Sequence, residues 1–138
     1  MAILALDKSY VSLFKLLYHE PRPYMIEPNI KPISCSKAFG NPSGHSSASQ
    51  IFTICLFLDF FHGVEKVITF HSKKVYNFCL FLCIFWAVSI PYSRFILGVH
   101  SLDQIVFGVS IGIWAGFTLH FLVRDHFIKH VESLIRKS

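Results

Sequence analysis

The sequence has 138 residues, 53% of them hydrophobic and only 15% charged. That balance leaves too little polar side chain to cover an ordinary water-soluble domain, and it excludes a disordered chain. Phe alone supplies 15 residues, mean hydropathy is +0.51, and the charges gather between long apolar stretches, as in chains that span a bilayer. The formal net charge of +5 does not indicate nucleic acid, because the Lys and Arg residues sit at the edges of apolar runs and no basic patch interleaves with aromatics. The length allows one membrane domain, 1–138.

Taken in chain order, residues 1–19 come first, with Leu6, Leu13, Leu16, Leu17 and Tyr18 around a helix interrupted by Asp7 and Lys8. They predict an amphipathic or partial span, and they lack the basic start and cleavage site of a signal peptide. Residues 20–45 carry Pro21, Pro23, Pro28, Pro32 and Pro42, which exclude a regular helix. So long a loop beside a membrane surface predicts a functional segment.

Three apolar runs of 19 or 20 residues follow: 46–64, whose one formal charge is Asp59, then 75–93 and 104–123, which have none. At 1.5 Å per residue each crosses a hydrocarbon core of roughly 30 Å, and without alternating polarity or barrel closure they predict helices, hence an all-α membrane bundle. Asp59 reads as an interfacial or partner-paired acid. The tail 124–138 places Phe127, Ile128, Val131, Leu134 and Ile135 on one face and predicts an amphipathic helix, either lying on the membrane surface or binding a partner. Cys35, Cys55, Cys79 and Cys83 have no zinc-ligand spacing.

Loop 20–45 and loop 94–103 share one side of the membrane, because two spans separate them. Loop 65–74 and the tail share the other. The second side carries seven basic residues (Lys66, Lys73, Lys74, Arg124, Lys129, Arg136, Lys137) against five on the first (Lys15, Arg22, Lys31, Lys37, Arg94). By the positive-inside tendency the tail is cytoplasmic, and the Pro-rich loop faces the lumen or the exterior.

The chemistry-bearing residues fall on that outer side in three blocks: Lys15, six residues, then Arg22-Pro23; Pro42-Ser43-Gly44-His45; and Ser93-Arg94, five residues, then His100. Arg side chains bind oxyanions by their forks, and imidazoles serve proton transfer or attack. Ser43 and Gly44 open a helix whose free N–H groups favour an anion. Phosphate is the occupant this set suits. The acids nearby, Glu20, Glu27 and Asp103, have no metal-ligand spacing with His, so no metal and no cofactor is expected.

K(x6)RP, PSGH and SR(x5)H, in this order and separated by spans, resemble the signature blocks of the type-2 phosphatidic acid phosphatase superfamily, which includes lipid phosphate phosphatases and vanadium haloperoxidases. The resemblance implies Lys15, Arg22, Ser43, Gly44 and Arg94 as phosphate binders, His45 as the acid that protonates the leaving oxygen, and His100 as the nucleophile. The family usually has an Asp four residues after that His. Here the position is Gln104 and the acid is Asp103, both within helical reach of His100, with charge favouring Asp103. Members with six spans are typical, so the chain resembles a fragment or short form of that core.

The function this implies is hydrolysis of a phosphate monoester or pyrophosphate on a membrane-anchored lipid, through a phosphohistidine. A site at the bilayer rim receives such a substrate laterally. Two alternatives stay open: a catalytically silent phospholipid-binding or scaffold protein, and a phosphatase for a soluble sugar phosphate. The expected partners are the lipid bilayer and the membrane-anchored phosphorylated lipid; a homo-oligomer stays open.

Overall fold

The computed structural model describes residues 2–33, 35–61 and 73–124, together with 126, 133, 135 and 136. The tail helix expected over 124–138 and the loop around Lys66 fall largely outside them. Among the described residues the regular structure is all helical: α1 (Ala2–Tyr18), the single turn α2 (Pro23–Ile26), α3 (Gly44–Phe61), α4 (Lys73–Ile96) and α5 (Leu102–Thr118), which runs on into a π-helical segment, Leu119–Arg124.

Helix α3 is the hub, packed chiefly on α5 and then on α4 and α1. Its buried side chains are mostly small or polar: Ser46, Ser47, Ser49, Gln50 and Thr53, beside Ile51. Helix α5 answers with Gly108, Gly112 and Gly116, one glycine per helical turn on one face. A Cβ at Gly108 would stand 2.5 Å from the Ser43 carbonyl oxygen, and one at Gly112 would stand 2.5 Å from that of Ser47. Lipid tails are as apolar as Leu, so helices in a bilayer gain little from burying Leu against each other; close backbone approach through small residues drives the pairing. Gly112→Leu is therefore expected to push α5 off α3, a cost of about 1–3 kcal/mol or more. Thermal unfolding in detergent checks this against Ile113→Leu as a control; equal midpoints for the two variants would contradict it.

Helix α4 is long and apolar enough to cross a membrane, and so is Leu102–Arg124. Phe78, Phe81, Phe85, Trp86 and Val88 all project outward from α4, the surface expected of a helix bathed in acyl chains. Pro91 interrupts it. A proline removes one helical N–H and frees the carbonyl four residues earlier, here that of Ala87. Gln50 on α3 donates from Nε2 to this carbonyl at 2.7 Å, so the neighbouring helix satisfies what the proline leaves open.

Two polar clasps complete the bundle. Near the start of the chain Asp7, 3% exposed, accepts from Ser47 Oγ at 2.6 Å and ties α1 to α3. At the other end of α3, Asp59 pairs with His120 Nδ1 at 3.0 Å and Arg124 Nε at 2.8 Å, so the lone acid of the 46–64 run is partner-paired.

Candidate active site

Each motif block sits at a helix end, the first and third where α1 and α4 stop and the second where α3 begins. Lys15 lies in the last turn of α1, which closes with the His19 N–H donating to the Lys15 carbonyl at 3.2 Å. His19 takes a left-handed φ of 48°, and Pro21 and Pro23 prevent the helix from resuming in register. The chain reverses, and Arg22 returns to the bundle. Its Nε donates to Ala38 O at 2.9 Å; its Nη1 donates to Val99 O at 3.2 Å and faces His100 Nε2 at 3.3 Å. Arg22 is buried, and its bonds join three segments distant in sequence. The Pro-rich loop is braced by Tyr24, whose hydroxyl donates to Ser36 O and accepts from Ser36 N–H, both at 2.8 Å.

The five-residue spacing of the third block has a backbone cause. Helix α4 ends in a Schellman turn: Val99 N–H donates to Arg94 O at 3.3 Å, Gly98 N–H donates to Phe95 O at 2.9 Å, and Gly98 holds φ 64°. Only glycine takes that φ without strain. Beyond the turn His100 lines the same cavity as Arg94.

Ser101 then caps α5, and Gln104 is the third helical residue after it. In a capping box the side chain at that position reaches back to the cap's own N–H. Gln104 Oε1 lies 3.4 Å from Ser101 N and 3.1 Å from His100 Nδ1. The ring partner is thus Gln104, and Asp103, favoured on charge, instead lies exposed one position earlier on the helix. Charge did not decide because cap geometry did. The S-x-x-Q box was readable in the sequence. Glu20 was missed altogether as a participant: its Oε1 accepts from Gln104 Nε2 at 2.9 Å, and Pro21 O accepts from the same nitrogen at 2.9 Å.

The second block enters between these. Ser43 is fully buried; its N–H donates to Gln104 O at 3.0 Å, its carbonyl accepts from Ser47 N–H at 3.0 Å, and its hydroxyl accepts from Ser46 Oγ at 2.9 Å. It locks the start of α3 to the start of α5.

Lys15, Arg22, Gly44, His45, Arg94 and His100 line one cavity of about 660 Å³. Ser43, Asp103 and Gln104 do not line it. Asp7, Val11 and Ala48 carry the cavity on between α1 and α3, a part that no motif signalled. Burial, and after it the Arg22 charge, lower the pKa of His100 to about 4, while the bond to Gln104 acts the other way. His45, ahead of the 46–64 run, is also lowered, by burial and then by Arg94, Lys15 and Arg22. Both imidazoles are therefore neutral near pH 7 in the free protein, beside three fixed cations.

The chain is similar to known proteins in sequence and in fold. The chain is 27% identical over 137 residues to dolichyldiphosphatase 1 of Dictyostelium discoideum, covering 94% of this chain and 58% of that protein. It is 26% identical over 127 residues to dolichyldiphosphatase of Saccharomyces cerevisiae, covering 86% and 48%. It thus spans about half the length of the curated relatives it matches. Among solved structures, the transmembrane PAP2-type phosphatidylglycerolphosphate phosphatase of Bacillus subtilis superposes with a TM-score of 0.70 at 21% identity, over 93% of this chain and 57% of that one, a likeness of fold. The family model described as PAP2 superfamily matches residues 1–128. That match takes in all three motif blocks and every helix from α1 to α5, and the chain belongs to the PAP2 superfamily.

Proposed function

We propose that this chain provides the phosphoryl-transfer site of a membrane phosphatase acting on a lipid phosphate monoester or diphosphate. The observation that carries the reading is the meeting of Lys15, Arg22, Arg94, His45 and His100 on one cavity at the helix ends. Likeness to two dolichyldiphosphatases supports a polyprenyl-type diphosphate as the first substrate to try.

The three cations bind the equatorial oxygens and take up charge as it develops in the transition state. His100 Nε2 donates its lone pair to phosphorus; the bond from phosphorus to the leaving oxygen breaks, and that oxygen takes a proton from His45. His45 is neutral in the free site, but an arriving phosphate offsets the surrounding cations and raises its proton affinity, so the acid form is available in the complex. Water, deprotonated by His45, then attacks the phosphohistidine and returns the electron pair to Nε2.

Purified protein is expected to release phosphate from a polyprenyl diphosphate or phosphatidic acid in mixed micelles, with turnover unaffected by EDTA and inhibited by vanadate, which takes the five-coordinate shape of the transferring group. Loss of activity on chelation, restored by added metal, would remove the mechanism. Turnover of soluble sugar phosphates but of no lipid would move the substrate class.

The charge distribution supports placing the site on the lumenal or outer side with the tail in the cytoplasm. A cysteine introduced at Lys37 is then expected to react with an impermeant label added from that side, and one at Lys73 to be protected. The reverse pattern would put the site in the cytoplasm.

A further inference from the structure

We propose that Glu20 is a positioning residue that sets the tautomer of His100 through the Gln104 amide. The inference rests on His100 acting as the nucleophile, since it concerns which of the two ring nitrogens keeps a lone pair.

Gln104 is 1% exposed, so its amide must be satisfied by protein groups. One end meets two acceptors, the Glu20 carboxylate and the Pro21 carbonyl, each at 2.9 Å. Neither can donate. The NH₂ group must therefore face them, because the reversed amide would set oxygen against oxygen twice, once against a carboxylate. The opposite end is then the carbonyl oxygen, which faces His100 Nδ1 at 3.1 Å. An amide oxygen only accepts, so Nδ1 carries the proton. Nε2 is left with its lone pair, beside the Arg22 Nη1 donor at 3.3 Å. The chain of consequence runs from the carboxylate through the amide to the ring.

Pro21 O alone would weight the amide in the same direction, but a bond to a charged acceptor is about twice as strong as a neutral one. Glu20 is itself held in place: its second oxygen accepts from Asn41 Nδ2 at 2.5 Å, and its backbone oxygen accepts from Gly40 N–H at 2.8 Å. A family member with Asp at the 104 position puts a carboxylate straight on the ring. Here the charge stands one residue further back.

The test is ¹⁵N NMR of the full chain in nanodiscs with labelled histidine, the His100 signals being assigned by their loss in His100→Asn. Protonated and unprotonated ring nitrogens have well-separated shifts. The wild type is expected to show a protonated Nδ1 and an unprotonated Nε2. Glu20→Gln is expected to mix the tautomers and to lower kcat about tenfold to a hundredfold, the usual cost of losing an outer partner, with the inhibition constant of inorganic phosphate nearly unchanged. The exchange Glu20→Gln with Gln104→Glu restores an acceptor-only group on Nδ1 and should recover the single tautomer and most of kcat.

A wild-type His100 protonated on Nε2 overturns the proposal, whether or not any variant folds. So does Glu20→Gln with an unchanged tautomer, whatever happens to kcat. A His100→Ala protein that keeps full turnover would instead overturn the nucleophile assignment, a separate result that leaves the NMR reading intact.

Discussion

The His100→Ala protein is expected to bind inorganic phosphate nearly as the wild type does, to form no acid-labile phosphoenzyme, and to lose roughly 10³-fold or more in kcat. Lys15, Arg22 and Arg94, the cations proposed to hold the anion, stay in place, so binding and chemistry should separate. Quenched-flow trapping of phosphoenzyme from labelled substrate reads the difference. His45→Ala should behave otherwise: with a good leaving group such as p-nitrophenolate no proton is needed, and phosphoenzyme still forms. In that background His100 is the site imidazole left to titrate. His100 attacks only while neutral, and its pKa is lowered to about 4 by burial and then by Arg22. Protonation below that value removes the lone pair, so kcat/KM, which reports the free enzyme, should fall with acid around pH 4 and stay flat from there to neutrality. A fall centred near 6.5, the ordinary histidine value, would show the ring is not held as the structure holds it. Full turnover by His100→Ala would exclude a phosphohistidine.

Much of this site is legible in the sequence. Periodicity and hydropathy located α4 and α5 because both are apolar enough to declare themselves against solvent-like loops. The three motif blocks were legible because each is short, local and made of unusual residues for a membrane edge. What escaped were relations across the chain. Glu20 looked like one of several loop acids, and nothing in its neighbourhood announces a Gln 84 residues away whose amide it meets at 2.9 Å. The choice between Asp103 and Gln104 was decided by a cap: once Ser101 starts α5, residue 104 folds back over the ring and residue 103 points off it. On this geometry Gln104→Ala should lose more kcat than Asp103→Asn. Hydropathy presents the 46–64 run as one more span and does not show what the faces of α3 do. Its first turns carry buried Ser46, Ser47, Ser49 and Gln50, because an interior helix packed on a glycine stripe needs small side chains and a donor for the Ala87 carbonyl. An average over a window cannot see which face is polar.

Arg22 and Arg94 look equivalent in the motifs, yet the structure gives them different tasks, and exchanging each for lysine should expose the difference. Arg22 uses Nε and Nη1 on two carbonyls from separate segments, Ala38 and Val99, and the same Nη1 abuts His100 Nε2. Its remaining edge is thereby aimed at the cavity it lines. A lysine has one nitrogen and no fork, so it cannot hold both carbonyls and an oxyanion at once. Arg22→Lys is therefore expected to lower kcat/KM by about 10² to 10³, the range for losing a preorganised donor at developing charge. It should also destabilise the fold, since the buried Val99 carbonyl loses its partner at a cost of about 1–3 kcal/mol. Among the described residues the Arg94 side chain is hydrogen-bonded only through Nε to Ser93 Oγ, at 3.3 Å, one position before it in the chain. Its charge reaches the cavity without bracing a loop, and a lysine at the end of α4 can supply much the same field. Arg94→Lys should then cost clearly less activity and leave the unfolding midpoint near the wild-type value. Steady-state kinetics and thermal unfolding of both variants in one detergent make the comparison. Equal or reversed losses would mean that the fork of Arg22, for all its contacts, is not what holds the transition state.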